Sequence, residues 1–147
     1  ATWLRDGRIY TIVDASAPVT DTPPGIYLIT PPDLSTATLV AELPAGTVVR
    51  EVNEPLPGML RLLIADSTSP DAPLNVIDVS LAGGATESVI DIGPLTAPQL
   101  SDDGRFVGGL ESLTPVGGTL TVIDLVTGRR FLISSATEAR SFAWGGS

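Results

Sequence analysis

The feature that most constrains this chain is a six-residue pattern that returns along it. Leu74-Asn75-Val76-Ile77-Asp78-Val79 comes back as Leu120-Thr121-Val122-Ile123-Asp124-Leu125, 46 residues later, and Ile26-Tyr27-Leu28-Ile29-Thr30 stands 48 residues before the first of these. Ile29, Ile77 and Ile123 are therefore equivalent, as are Leu28, Val76 and Val122. A second segment repeats in step with the first. Trp3-Leu4-Arg5-Asp6-Gly7-Arg8-Ile9-Tyr10 matches Leu100-Ser101-Asp102-Asp103-Gly104-Arg105-Phe106-Val107, and residues 53–60, around Gly58, form a degenerate middle copy. Ser141-Phe142-Ala143-Trp144 then revisits Ala1-Thr2-Trp3, which sets a mean period of 47 residues. A chain built this way folds as stacked copies of one unit.

The unit is made of strands. With 13 Pro and 15 Gly spread through 147 residues, no dozen residues show apolar positions at helical spacing. Short β-branched runs stand in their place, and residues 9–13, 25–30, 38–43, 48–52, 60–65, 74–79, 87–92, 120–125 and 130–134 each read as a strand. Around the Asp-Gly turns, a short strand with Trp3, Leu100 or Trp144 enters and a second, such as residues 106–110, leaves. Val76-Ile77 and Val122-Ile123 are apolar on both faces, as expected of a strand covered on both sides. Four strands per 40 to 50 residues is the grammar of a propeller blade.

The expected fold is all-β: a partial β-propeller of three four-stranded antiparallel blades. Blade 1 is expected at about 1–44, blade 2 at 45–94 and blade 3 at 95–137, with 138–147 starting a fourth. Three blades do not close a ring, because propellers hold 4 to 8. The remainder must come from further blades of the same parent chain, from another subunit, or from a second copy in a homodimer completing a six-blade ring. Ala1 is not an initiator Met and no charged, apolar leader precedes it, as expected of a processed product or a piece of something longer.

The segments "PQLSDDGRFVGGL", "LTVIDLVTGRRFLIS" and "ARSFAWGGS" resemble the TolB-type, WD-like propeller repeat, in which a tryptophan strand, an Asp-Gly turn, an apolar strand and an "IDL-x-TG" hairpin follow one another. The resemblance implies a six- to eight-bladed ring, an extracytoplasmic setting and a non-enzymatic protein-binding or scaffold surface. It does not by itself imply an enzyme.

Composition narrows the chemistry. The chain holds no His, no Cys and no Lys, which removes the Ser-His-Asp triad, the imidazole and thiolate metal ligands, the disulfide, the Schiff base and the P-loop lysine. A formal charge of −9 argues against nucleic acid, whose binding rests on cations neutralising phosphates. The longest strongly apolar stretch, residues 59–65, contains Arg61 and falls far short of the ~20 residues of a membrane-spanning helix. The lack of cysteine is neutral about compartment.

Acidic groups are the plentiful reactive residues. Asp14 and Asp21 share one loop, and Asp66 and Asp71 the equivalent loop a repeat later. Calcium needs six to eight oxygens, and this spacing matches no calcium loop, so solvated or turn-capping roles are expected. Asp102-Asp103 could suggest acid-base catalysis. Because Asp6 occupies the place of Asp103, a turn requirement explains the pair better; Asp78 and Asp124 likewise read as strand-end residues.

Trp3 and Trp144, at one blade position, are expected to pack between blades rather than form a carbohydrate platform. Arg129-Arg130 could clamp an anion, but a solvated hairpin with surface ion pairs is the default. No catalytic, cofactor or metal residue is expected. The alternative function is the gating propeller of a prolyl-oligopeptidase-like serine peptidase, recognisable by a G-x-S-x-G elbow beyond residue 147.

Overall fold

A computed structural model of the chain describes residues 2–30, 36–69, 71–114 and 117–133. These form strands and turns, with no helix among the described residues and so none long and apolar enough to cross a membrane. The first sheet runs β1 (Thr2–Trp3), β2 (Ile9–Val13), β3 (Gly25–Ile29) and β4 (Ala37–Glu42); the second runs β5 (Val48–Leu56), β6 (Met59–Ala65), β7 (Leu74–Ser80) and β8 (Thr86–Gly93). The third holds β9 (Thr96–Leu100), β10 (Phe106–Thr114), β11 (Gly117–Asp124) and β12 (Arg130–Ile133). Every strand pairs antiparallel with its neighbour in sequence, so each sheet is an up-and-down blade. The expected start of a fourth blade, residues 138–147, lies outside the described residues.

The first hairpin of each blade turns at Gly7, Gly58 and Gly104, with φ of 89°, 78° and 71°. The need for glycine is clearest at Gly104, where a Cβ would come within 2.9 Å of Pro55 Cβ and 3.0 Å of Asn53 Oδ1 in the neighbouring blade. The middle copy departs from the others. Its first strand, expected at 48–52, continues to Leu56, which pairs with Met59 across a two-residue turn at Pro57-Gly58.

Asn, Glu and Pro are poor strand formers, and contacts with the adjoining blades explain their place here. Asn53 Nδ2 donates to Ser101 O (2.7 Å) and Asp102 O (3.2 Å). Glu54 accepts from Arg5 N (2.9 Å) and Gly58 N (3.1 Å). These bonds tie the end of β5 to the first-hairpin turns of the blades on both sides.

The core lies between the blades. One cluster joins Leu4, Tyr10, Ile26 and Leu28 of the first blade to Leu60, Leu62 and Val79 of the second; the other joins Leu63, Leu74, Val76 and Ile92 of the second to Leu95, Val107, Ile123 and Leu125 of the third. Alternation along a strand sends successive side chains to opposite faces. Thus Leu28 and Val76 point to the following blade, whereas Ile77 and Ile123 point to the preceding one.

Burial follows whether that neighbour exists at five of these six positions. Leu28, Val76 and Ile123 are buried, the last 1% exposed. Ile29 and Val122, expected to be buried like their equivalents, are half-buried because no described sheet covers the first blade's outer face or the third's. Ile77 is also only half-buried, resting against the first cluster from its margin.

Candidate functional site

Three groups of residues could carry chemistry: the acidic turns, the loops after each second strand, and the contact between the second and third blades. At the turns, Asp6 accepts from Arg8 N (3.0 Å) and Arg8 Nε (2.8 Å), and Asp103 from Ser101 Oγ (2.7 Å) and Arg105 N (3.0 Å). The Arg8 side chain at Asp6 and the Ser101 hydroxyl at Asp103 are the main causes that hold both carboxyls below the usual carboxylate range. Asp103 thus closes its turn with the carboxylate, the role its equivalent Asp6 takes in the first blade. Asp102 contributes only its carbonyl, to Asn53.

Asp124 ends β11, as expected, whereas Asp78 lies two residues inside the end of β7 because the strand pairs on through Ser80; each carries an arginine partner that the sequence does not announce. Arg61 Nε and Nη2 meet the two oxygens of Asp78 at 2.7 and 2.9 Å while its Nη1 donates to Gly104 O at 2.6 Å, so one guanidinium ties the second blade to the turn of the third. Asp124 accepts from Arg105 Nη2 (3.0 Å) and from Val126 N (2.9 Å). Led by the Arg105 bond, these contacts hold it at about 2.

A carboxyl with a folded-state pKa below its unfolded value stabilises the fold fully above the unfolded value and loses that contribution as pH falls through the folded one. Unfolding midpoints are therefore expected to stay level down to about pH 5 and fall toward pH 2, because these acids have unfolded pKa values near 4. Asp124→Asn should flatten part of that fall. An acid limb unchanged in Asp124→Asn and in Asp103→Asn would contradict the assignment.

On the opposite side of the arc, the acidic pairs do not gather. Asp14 is 8% exposed and accepts from Val49 N (2.7 Å), Ser16 N (3.0 Å) and Ser16 Oγ (2.5 Å), which fastens the end of β2 to β5. Burial pushes its carboxyl up, but the Ser16 and Val49 bonds together outweigh that and leave it lowered. Asp21, Asp66 and Asp71 are exposed. Among the described residues, no three His, Cys, Asp or Glu side chains are grouped as a metal would need.

Trp3 is 65% exposed, contrary to the expected packing between blades, because it sits on the outer face of the first blade where no sheet precedes it. Trp144 lies outside the described residues. Arg129 and Arg130 do not act together. Arg129 stacks over the Phe131 ring at 5.5 Å, while Arg130 pairs with Glu111 at 2.7 Å and donates to Ile92 O on β8. Arg130 therefore keeps the expected surface ion pair and also links the third blade to the second.

Sequence reading passed over Arg50. The register of β5 slips between Val49 and Glu51, making Arg50 a bulge residue. Its side chain borders a cavity of about 50 Å³ between the second and third blades, with Ala72, Leu74, Leu95, Thr96 and Ala97 in the wall. An arginine inside an apolar run was the only available signal.

No family model matches the chain, and no curated protein matches it. Among solved structures it is similar to an oligogalacturonate lyase in complex with manganese, with a TM-score of 0.58 and 13% identity over 84% of this chain and 32% of that one. The chain therefore spans about a third of that structure's length. At that identity the likeness speaks for the fold alone, and with the three stacked sheets it makes this chain a partial β-propeller.

Proposed function

We propose that the chain is a non-enzymatic propeller module of TolB-like type, serving as a protein-binding or scaffold surface within a larger extracytoplasmic ring. The observation that carries this reading is the contrast between Ile123, 1% exposed, and its half-buried equivalent Ile29. The outer face of the first blade repeats the pattern that the third blade buries at Ile123, but no described sheet lies against it. Further blades of the parent chain cover it, or another subunit does. The loops after β2 and β6 project from one side of the arc and supply the contact surface.

Sedimentation of the 147-residue chain at micromolar concentration is expected to show association, reduced by Ile29→Asp combined with Val122→Asp. Two copies closing a six-blade ring would appear as a discrete dimer. A stable monomer with both end faces open would overturn the arc, since monomers seldom expose apolar patches beyond a few hundred Å². Turnover of an ester or peptide by the purified chain, abolished by a single Ser or Asp substitution, would overturn the non-enzymatic reading.

A further inference from the structure

The outer edge of the third blade differs from those of the other two. β12 is the last strand of its sheet, and no described strand lies beyond it. Asp124 N donates to Arg129 O (2.9 Å) across the hairpin. Alternate residues of an antiparallel ladder turn both N–H and C=O to the same neighbour, so Arg130 and Leu132 turn theirs away from β11, to the open edge. Sheets blunt such edges with charges or bulges. β8 carries the exposed Glu87 and Asp91, and β4 has a bulge at Val40 and ends on the exposed Glu42. β12 runs in regular register, and its one charged side chain, Arg130, is drawn to Glu111 and β8. Phe131, Leu132 and Ile133 are left exposed in a row.

Phe131 and Ile133 share the uncovered face of Val122, but Leu132 is exposed for another reason. It stands opposite Thr121, which has the orientation of Ile123, toward the second blade, so a blade stacked on the outer face would not cover it. At 64% exposed it holds the place that the charged Asp91 takes in β8, opposite Asn75. Beside this apolar edge stands a cation. Arg129, one residue before β12, is exposed and stacks over the Phe131 ring, and no described carboxylate pairs with it. A strand added antiparallel to β12 sets one residue opposite Arg129 on the same face, where opposite charges attract. β12 contains no acidic residue, so the same strand of a second copy, paired about a two-fold axis, brings no carboxylate there. We propose that the edge of β12 takes up an extended segment of a partner protein as a fifth antiparallel strand, with apolar residues opposite Leu132 and Phe131 and an acidic residue opposite Arg129.

Main-chain bonds to Arg130 and Leu132 hold such a segment, and the side-chain pairs select it. In its own N-to-C direction the pattern is two apolar residues, one of any kind, then Asp or Glu. This surface is separate from the loops after β2 and β6. A monomer by sedimentation would sink the arc, and turnover by the chain the non-enzymatic reading; either would leave peptide binding at this edge standing.

The test is fluorescence anisotropy of the labelled peptide amide Thr-Val-Ile-Thr-Glu titrated with the purified 147-residue chain. Saturable binding is expected. N-methylation of the Val and second Thr amides, which face Leu132 and Arg130, should weaken it at least tenfold, whereas N-methylation of the Ile amide, which faces away, should leave it unchanged. Both peptides are read on the native chain, so this arm does not depend on any variant folding. Leu132→Asp, which gives the edge the charge that β8 has at Asp91, should weaken binding at least tenfold. Arg129→Glu should weaken it at least fivefold, and Lys in place of the peptide's Glu should restore it. No binding by the native chain, whether the edge is bare or is held by a second copy or by residues 134–147, would overturn the proposal. So would equal loss on methylating either set of amides, undiminished binding to folded Leu132→Asp, or no recovery with the Lys peptide.

Discussion

Replacing Ile123 by Ala is expected to cost about 2–5 kcal/mol, the range for emptying a fully buried large aliphatic site, whereas Ile29→Ala at the equivalent position should cost well under half as much. Ile123 is 1% exposed and packs with Leu63 and Val76 of the second blade and Val107 of its own. Ile29 is half-buried, so less apolar area returns to water and no closed cavity remains. Urea unfolding at one fixed protein concentration measures the difference, since association would shift the midpoint by mass action. Equal losses at both positions would mean that Ile29 is as well covered as Ile123, contradicting an open face on the first blade. In a completed ring the two losses should converge.

Gly84→Ala is the second large effect. Gly84 has φ +70° in the turn between β7 and β8, and a Cβ there would lie 2.1 Å from Val40 O on β4 of the preceding blade. A left-handed conformation costs a side-chain-bearing residue about 1–2 kcal/mol, and displacing packed structure to relieve a clash adds about 1–3 kcal/mol. A backbone carbonyl cannot rotate aside as a flexible side chain would, so the expected total is about 2–5 kcal/mol from these two terms.

Gly83→Ala is the control. Its Cβ would meet nothing within 4 Å, and a change within about 0.5 kcal/mol is expected at an open position. Comparable destabilisation by both substitutions would show that the hairpin does not press on β4.

The comparison of residues with structure separates two kinds of information. Alternation, β-branched runs and glycine turns act over a few residues, and from them the three-blade all-β architecture and the equivalence of Ile77 with Ile123 could be read. The Asp6 and Asp103 turns were legible for the same reason, since each bond closes within two residues. The turn-capping role expected in the acidic loops is seen at Asp14, which accepts from Ser16 N and Oγ.

Contacts between blades were not legible. The extension of β5 through Asn53-Glu54-Pro55 contradicts local propensity and depends on residues 48 and 49 positions away. Arg61 reaches both Asp78 and Gly104, and no spacing in the chain announces that reach. Trp3 repeats the place of an expected interblade residue yet stands exposed. By itself, then, the sequence determined the strands, their turns and their period, because strand pairing between neighbours is specified by side-chain alternation and turn geometry over short range. Tertiary structure alone decided which equivalent positions are buried, which carboxylates meet an arginine and where Arg50 lies, because each depends on whether another blade stacks against that face and at what angle.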